Sequence, residues 1–223
     1  MFKNLTCDAQ LRRDIQNRLN NFPVIEDPNP EHKHAAVAVL IVEEGMGANL
    51  PGLDNPGDWS QAPALLLTRR SQKLRNHPGQ WAFPGGRVDA GETKIEAALR
   101  ELHEEVGIKC GPEDVLGTMD DFVTRSGFAM TPVVVWGGRQ SDIQPNPDEV
   151  ASVHRIPTLE FFRDDAPMLD KMDTSEHPVL RMPIGTDYIA APTAALIYQF
   201  REVCLLGQHT RVAHFEQPEF AWK

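Results

Sequence analysis

Residues 84–108 read PGGRVDAGETKIEAALRELHEEVGI. The second half has helical spacing. Ile95, Ala98, Leu99, Leu102 and Val106 share one stripe at about 100° per residue. This predicts a helix over 92–106 with that stripe against a core. Beside the stripe stand Glu101, Glu104 and Glu105, within an arc of about 100°. Like charges three or four residues apart destabilise a helix by roughly 0.2–0.5 kcal/mol per pair. Carboxylates that border a buried stripe also lose water, so some take up protons. A hard divalent cation relieves both effects, because Mg²⁺ prefers carboxylate and water oxygens and works through substrate phosphates. The alternative is a solvated acidic face laced with salt bridges.

Working outward, a short strand over 81–83 leads into Gly85 and Gly86. Residues without a β-carbon let the backbone turn tightly and approach a ligand, and their carbonyls can face a metal. Gly91 and Glu92 are expected to open the helix. Arg100 follows Glu92 by a little over two turns and Glu96 by four residues, a favourable helical pair. Strand, glycine turn and acidic helix therefore make one unit: a source of backbone carbonyls, then a metal-binding edge.

Gly86, five residues, Glu92, seven residues, then Arg100-Glu101-Leu102-His103-Glu104-Glu105-Val106-Gly107-Ile108 resembles the Nudix box at every fixed position. The resemblance implies an α/β fold, an α/β/α sandwich around a central mixed β-sheet. It implies hydrolysis of a diphosphate linked to a nucleoside and a further group, with Mg²⁺ or Mn²⁺ as cofactor. It assigns Glu101, Glu104 and Glu105 as metal ligands, helped by the carbonyl region of Gly86. Glu92 and Arg100 become the pair that orients loop and helix. Many members take an extra carboxylate from a later loop as ligand or general base. Here Glu149 in "NPDEV" is the candidate, beside the plainer reading of a solvated loop glutamate.

The residues before the glycine turn bear on the substrate. "LLTRRSQKLRNHPGQWAFPGG" (66–86) is similar to the coenzyme A diphosphatase branch of the Nudix family, as are "HAAVAVLIV" and "PNPDEVASVHRIP". The stretch gathers Arg69, Arg70, Lys73, Arg75 and His77 within nine residues of an acidic protein. A local basic cluster can seat phosphates, and coenzyme A carries a 3′-phosphate besides its diphosphate. Arg70, Arg75 and His77 are the substrate-binding candidates, against the alternative of a solvated loop. One departure stands out. That branch usually enters its C-terminal helix through a Trp-Gly-hydroxyl-Ala segment, whereas this chain has Ala191 and Pro192 before Thr193 and Ala194.

The remaining chain reads as strands interleaved with few helices. A short amphipathic helix is expected over 8–21, capped by Asp8, followed by a proline-rich connector to residue 33. Residues 34–223 read as the hydrolase domain of a single-domain chain, with strands over 35–44, 63–70, 114–124 and 129–138, and a strand followed by a short helix over 151–162. Residues 45–62, rich in glycine and proline, read as an inserted loop, either surface decoration or a lid. Residues 164–190 read as loop and hairpin. A second helix spans 192–206, with Pro192 in its first turn and Gly207 at its C-terminal cap.

Composition bounds the partners. With 223 residues and 41% hydrophobic content the chain can bury a real core. Its net charge of −10 repels a phosphate backbone, so a nucleic acid polymer is not expected. No apolar run reaches the roughly 20 residues of a membrane span. Cys7, Cys110 and Cys204 lie far apart, as reduced thiols would. A cytoplasmic enzyme is expected, with a small-molecule diphosphate as partner and a homodimer left open. The leading expectation is metal-dependent hydrolysis of coenzyme A or acyl-coenzyme A to 4′-phosphopantetheine and adenosine 3′,5′-bisphosphate. The alternatives are hydrolysis of another nucleoside diphosphate derivative, such as ADP-ribose or NADH, and a non-catalytic ligand-binding module. A damaged box would mark the last, and this box is intact.

Overall fold

The computed structural model describes residues 5–172 and 175–218. In chain order the elements are α1 (Ala9–Asn20), β1 (Lys33–Gly45), β2 (Ser60–Arg70), β3 (Trp81–Ala82), β4 (Gly85–Arg87) and α2 (Lys94–Val106). Then follow β5 (Val115–Thr118), β6 (Phe122–Val123), β7 (Phe128–Gly138), β8 (Val150–Pro157), β9 (Met168–Met172), β10 (Ser175–Ile184), β11 (Asp187–Ala190) and α3 (Thr193–Phe200). A π-helical turn, Arg201–Leu206, continues α3 and ends on Gly207 in the left-handed region, so the helix expected over 192–206 changes its hydrogen-bonding pattern midway.

β1 to β8 form one mixed sheet. β1 pairs parallel with β7 and antiparallel with β2. Its apolar run is buried on both faces, as a central strand requires. β1 and β2 pair from Gly45↔Ser60 to Ile41↔Leu65 and then diverge. β3 takes Thr68 and Arg69 of β2, while β4 takes Ala35 to Val37 of β1. The short chain from Trp81 to Arg87 is thus wedged into the fork, which fixes the glycine turn in the sheet.

Alternation along β1 divides the core. Ala36, Ala38, Leu40 and Val42 face α2, whose Ala97, Ala98, Leu102 and Val106 pack against them. Ile95 and Leu99 of the predicted stripe are half-buried at its border, and Ala97 replaces them at its centre. Val37, Val39 and Ile41 face α1, α3 and a second sheet. That second, three-stranded sheet, β9–β10–β11, forms from the segment expected to be loop and hairpin. Helices on both faces of a mixed sheet give the expected α/β sandwich.

α2 begins at Lys94, not at Glu92. Thr93 caps it, with its side chain accepting from the Glu96 amide while the Glu96 carboxylate accepts from the Thr93 amide. Glu92 is left in the loop, free to turn toward Arg100. Residues 46–59 are mostly exposed but anchored at two points. Ala48 is buried, its carbonyl lies 2.9 Å from His154 Nδ1, and the Pro51 carbonyl accepts from the Thr186 amide at 3.1 Å. The thiols are free; burial pushes Cys7 up to about 12 and Cys110 up to about 11. No helix among the described residues is long and apolar enough to cross a membrane.

Candidate active site

Arg100 is the hub of the loop and helix. Its Nε and Nη2 donate to the two oxygens of Glu92 at 2.9 and 3.1 Å, a bidentate fork. Its Nη1 donates to Glu101 Oε1 at 2.9 Å and Glu104 Oε2 at 3.1 Å, and its Nη2 also reaches the Arg87 carbonyl at 3.1 Å. Glu92 also accepts from the Asp89 amide at 3.0 Å. The guanidinium beside it holds the Glu92 carboxyl below its ordinary range. These bonds tie the glycine turn to the helix at both ends of the motif.

The glycine turn meets the acidic edge closely. A β-carbon on Gly86 would sit 2.1 Å from Glu101 Oε1, so a side chain there would push the Glu101 carboxylate out of its place. The Gly85 backbone acts on the Glu105 carboxylate and opposes the rise in its pKa. Glu105 is 5% exposed. Burial first, then Glu101, pushes its pKa up to about 8, against the opposing charge of Arg70. Burial also raises Glu101, with Arg100 opposing.

A third carboxylate arrives from elsewhere in the chain. The loop before β8 docks on the end of α2: the Gln144 amide donates to the Val106 carbonyl at 3.0 Å and the Asn146 amide to the Glu105 carbonyl at 2.8 Å. The Ser71 amide bonds the Glu149 carbonyl at 2.8 Å. Carboxylate oxygens of Glu101, Glu105 and Glu149 then lie within 4.8 Å of one another. Three converging acids, two of them pushed toward protonation by burial, fit a hard divalent cation. Glu104 stands outside this group, about half-exposed and held by Arg100.

A cavity of about 580 Å³ lies on the sheet face that carries Ala35 and Val37, the face opposite the one on which Ala36 and Ala38 pack against α2, and none of Glu101, Glu105 and Glu149 lines it. Gly85 and Arg70 belong to both places, since they line the cavity and act on Glu105. Trp81, Phe83, Phe128, Met130 and Leu196 make its apolar walls. Ala191, Pro192 and Thr193 line it too, with Thr193 Oγ1 donating to the Trp81 carbonyl at 3.1 Å. Arg70 Nε is buried without a hydrogen-bond partner, as is His77 Nδ1. His77 sits at φ 54°, and burial with the Arg70 charge pulls its pKa down. Arg75 is exposed and does not line the cavity.

Local sequence reading missed two groups. Arg69 stacks 3.9 Å over Trp81 and pairs with Asp187, which also accepts from Trp81 Nε1 at 3.3 Å. Asp187 is 118 residues from Arg69, and no local pattern announces it. Arg87, exposed on β4, also lines the cavity. Its place on β4, next to Gly86, was the available signal.

A mixed sheet with an Arg-tethered acidic helix and a glycine turn defines a diphosphate-hydrolase fold. The Nudix domain family matches residues 32–180, and the chain belongs to it. It is a Nudix hydrolase acting on nucleoside diphosphate derivatives, in a family that generally uses divalent metals. It is 37% identical over 173 residues to the "Uncharacterized Nudix hydrolase NudL" of Pectobacterium atrosepticum, covering 76% of this chain and 83% of that one. It is 45% identical over 102 residues to the protein of the same name from Yersinia enterocolitica, covering 45% of this chain and 52% of that one. Among solved structures, a MutT/nudix family protein from Enterococcus faecalis is similar at 16% identity and a TM-score of 0.47, over 88% of this chain and 73% of that one.

Proposed function

We propose that the protein hydrolyses the diphosphate of coenzyme A or acyl-coenzyme A with Mg²⁺ or Mn²⁺, giving 4′-phosphopantetheine and adenosine 3′,5′-bisphosphate. The observation that carries this reading is the convergence of Glu101, Glu105 and Glu149, with an arginine-bearing cavity whose Arg70 and Gly85 both act on Glu105. The likeness of residues 66–86 to coenzyme A diphosphatases supports it.

Glu101, Glu105 and Glu149 would hold the cation, with Glu104 and the Gly86 carbonyl region at its edge. A cation bound there supplies positive charge to the phosphoryl oxygens and acidifies its bound water. Glu105 and Glu149, two members of the converging group, would accept the proton of the attacking water. Arg70 neutralises phosphate charge from the cavity side, and its unpartnered Nε is a donor already stripped of water. His77 offers a second donor to the same phosphates. Arg100 and Glu92 keep Glu101 aimed at Gly86 and so act by positioning. The apolar walls take the pantetheine arm, an uncharged chain whose burial contributes binding.

One observation favours a second reading. Ala191 and Pro192 line the cavity where coenzyme A diphosphatases usually carry Trp and Gly. A hydrolase of ADP-ribose or NADH would tolerate that change. A substrate panel separates the two readings: coenzyme A, acyl-coenzyme A, ADP-ribose and NADH, each with Mg²⁺ or Mn²⁺ and with products identified. Coenzyme A compounds should turn over fastest. Faster cleavage of ADP-ribose or NADH sinks the substrate assignment but keeps the hydrolase.

A further inference from the structure

Resting on Glu149 as a cation ligand, and independent of which diphosphate is cleaved, we infer that Asn146 is the positioning residue that aims the Glu149 carboxylate at the cation site. Glu149 is the one member of the acidic group outside the helix. Glu101 and Glu105 are carried by α2, while Glu149 sits on the turn before β8 and is partly exposed. Carboxylate oxygens of all three lie within 4.8 Å of one another. Like charges that close repel. The Glu149 charge is among those that push up both Glu101 and Glu105. A carboxylate on a surface turn escapes that repulsion by swinging outward. Glu101 is held against it by Arg100 Nη1 at 2.9 Å, and Glu149 needs a hold of its own.

Asn146 supplies that hold with every polar group it has. Its Nδ2 donates to Glu149 Oε1 at 3.4 Å. Its Oδ1 accepts from the Asp148 amide at 3.1 Å. Its carbonyl accepts from the Glu149 and Val150 amides at 3.1 and 2.8 Å, and its own amide donates to the Glu105 carbonyl at 2.8 Å. One residue thus clasps Glu149 by side chain and main chain and fastens it to the main chain of Glu105. The two side-chain bonds also fix which way the amide points, since only its nitrogen donates and only its oxygen accepts. The sequence suits the task. In Asn146-Pro147-Asp148-Glu149, asparagine and proline take the first two places of a turn, where each is favoured. The Ser71 amide pins the other side of the turn at the Glu149 carbonyl, 2.8 Å away, but holds only the main chain. Among the described residues, Asn146 is the only hydrogen-bond donor to the Glu149 carboxylate.

The test is Mn²⁺ binding to the substrate-free protein, by paramagnetic resonance, in the wild type, Asn146→Ser, Glu149→Gln and the double variant. A serine hydroxyl still accepts from the Asp148 amide but is too short to reach Glu149. The Asn146 backbone lies outside the left-handed region, so the substitution adds no strain there. Glu149→Gln should weaken Mn²⁺ binding by about 10- to 100-fold, and Asn146→Ser by about 10-fold. In the double variant Asn146→Ser should cost nothing further, because Asn146 acts through Glu149. Thermal melts check folding, and Asn146→Thr, which also keeps the hydroxyl, repeats the measurement if Asn146→Ser does not fold. Full Mn²⁺ affinity in Asn146→Ser with a lowered Tm would make Asn146 merely structural and overturn the inference. Losses that multiply in the double variant overturn it as well, and both results leave Glu149 in the site. Unchanged Mn²⁺ binding in Glu149→Gln defeats the reading of Glu149 itself, and the inference with it.

Discussion

The acidic edge of α2 and the cationic cavity are built in opposite ways. Most of the acidic edge comes from one contiguous stretch, 86–108, where helical spacing alone aligns Glu101 and Glu105. The cavity wall draws on β1, β2, β4, β7, β11 and α3, and on turns between them. Its arginines are sorted by partners distant in sequence: Asp187 holds Arg69, while Arg87 is left open. The contrast locates two properties. On the proposed reading, chemistry common to the family would reside in the contiguous part and selection of substrate in the assembled part.

The largest effect should come from the acidic edge. Glu105→Gln should lower kcat by about 10³-fold with coenzyme A, because it removes a buried charge at the reacting centre. Retained turnover would mean that the contiguous part is not where the chemistry happens. Next comes its tether: Arg100→Ala should cost about 10- to 100-fold, the range for residues that orient a metal ligand. A matching loss from Glu92→Gln would show that the two act as one unit. The cavity side is tested by contrast between neighbours. Arg70→Ala should lower kcat/KM by about 10- to 100-fold, whereas exposed Arg75→Ala should stay within about threefold. Equal losses would place Arg75 in the site and break the sorting of cations described above.

The smallest effect is on stability. Glu105 has a folded pKa of about 8, above its ordinary 4.5. The fold therefore favours its protonated form. Without divalent cation, that contribution is complete below about pH 4.5 and is lost as pH rises through about 8. Added Mn²⁺ binds the ionised carboxylates and restores stability by mass action. The gain in Tm from Mn²⁺ should thus be larger near pH 8.5 than near pH 5.5, measured by calorimetry. A gain independent of pH would detach the cation from these carboxylates.

Much of this was legible in the sequence because its causes are local. The sheet's long strands announce themselves as apolar runs, and the Glu92–Arg100 pair was legible through the resemblance to the Nudix box, although Glu92 lies in the loop ahead of α2. The start of α2 was legible too, since Thr93 and Glu96 have capping-box spacing, yet the prediction began the helix at Glu92. The three-stranded sheet of β9, β10 and β11 was not. Its Met168–Met172 and Ser175–Ile184 strands mix charge, proline and apolar residues, and they pair only because a core exists to cover. Glu149 had a motif to suggest it, but its convergence with Glu101 and Glu105 depends on the docking of the 144–150 loop on α2. Glu104 illustrates the reverse: helical spacing puts it near the edge, yet its half-exposed carboxylate bonds Arg100 and stands outside the group.

The measurement that bears most directly on the site is Mn²⁺ dependence, by paramagnetic resonance for binding and by turnover of coenzyme A for function, in Glu149→Gln and Glu104→Gln. With Glu101, Glu105 and Glu149 as the cation site, Glu149→Gln should raise the Mn²⁺ requirement by about 10- to 100-fold, and Glu104→Gln should change it less. A large rise from Glu104→Gln with none from Glu149→Gln would contradict the account and return the site to the helix alone.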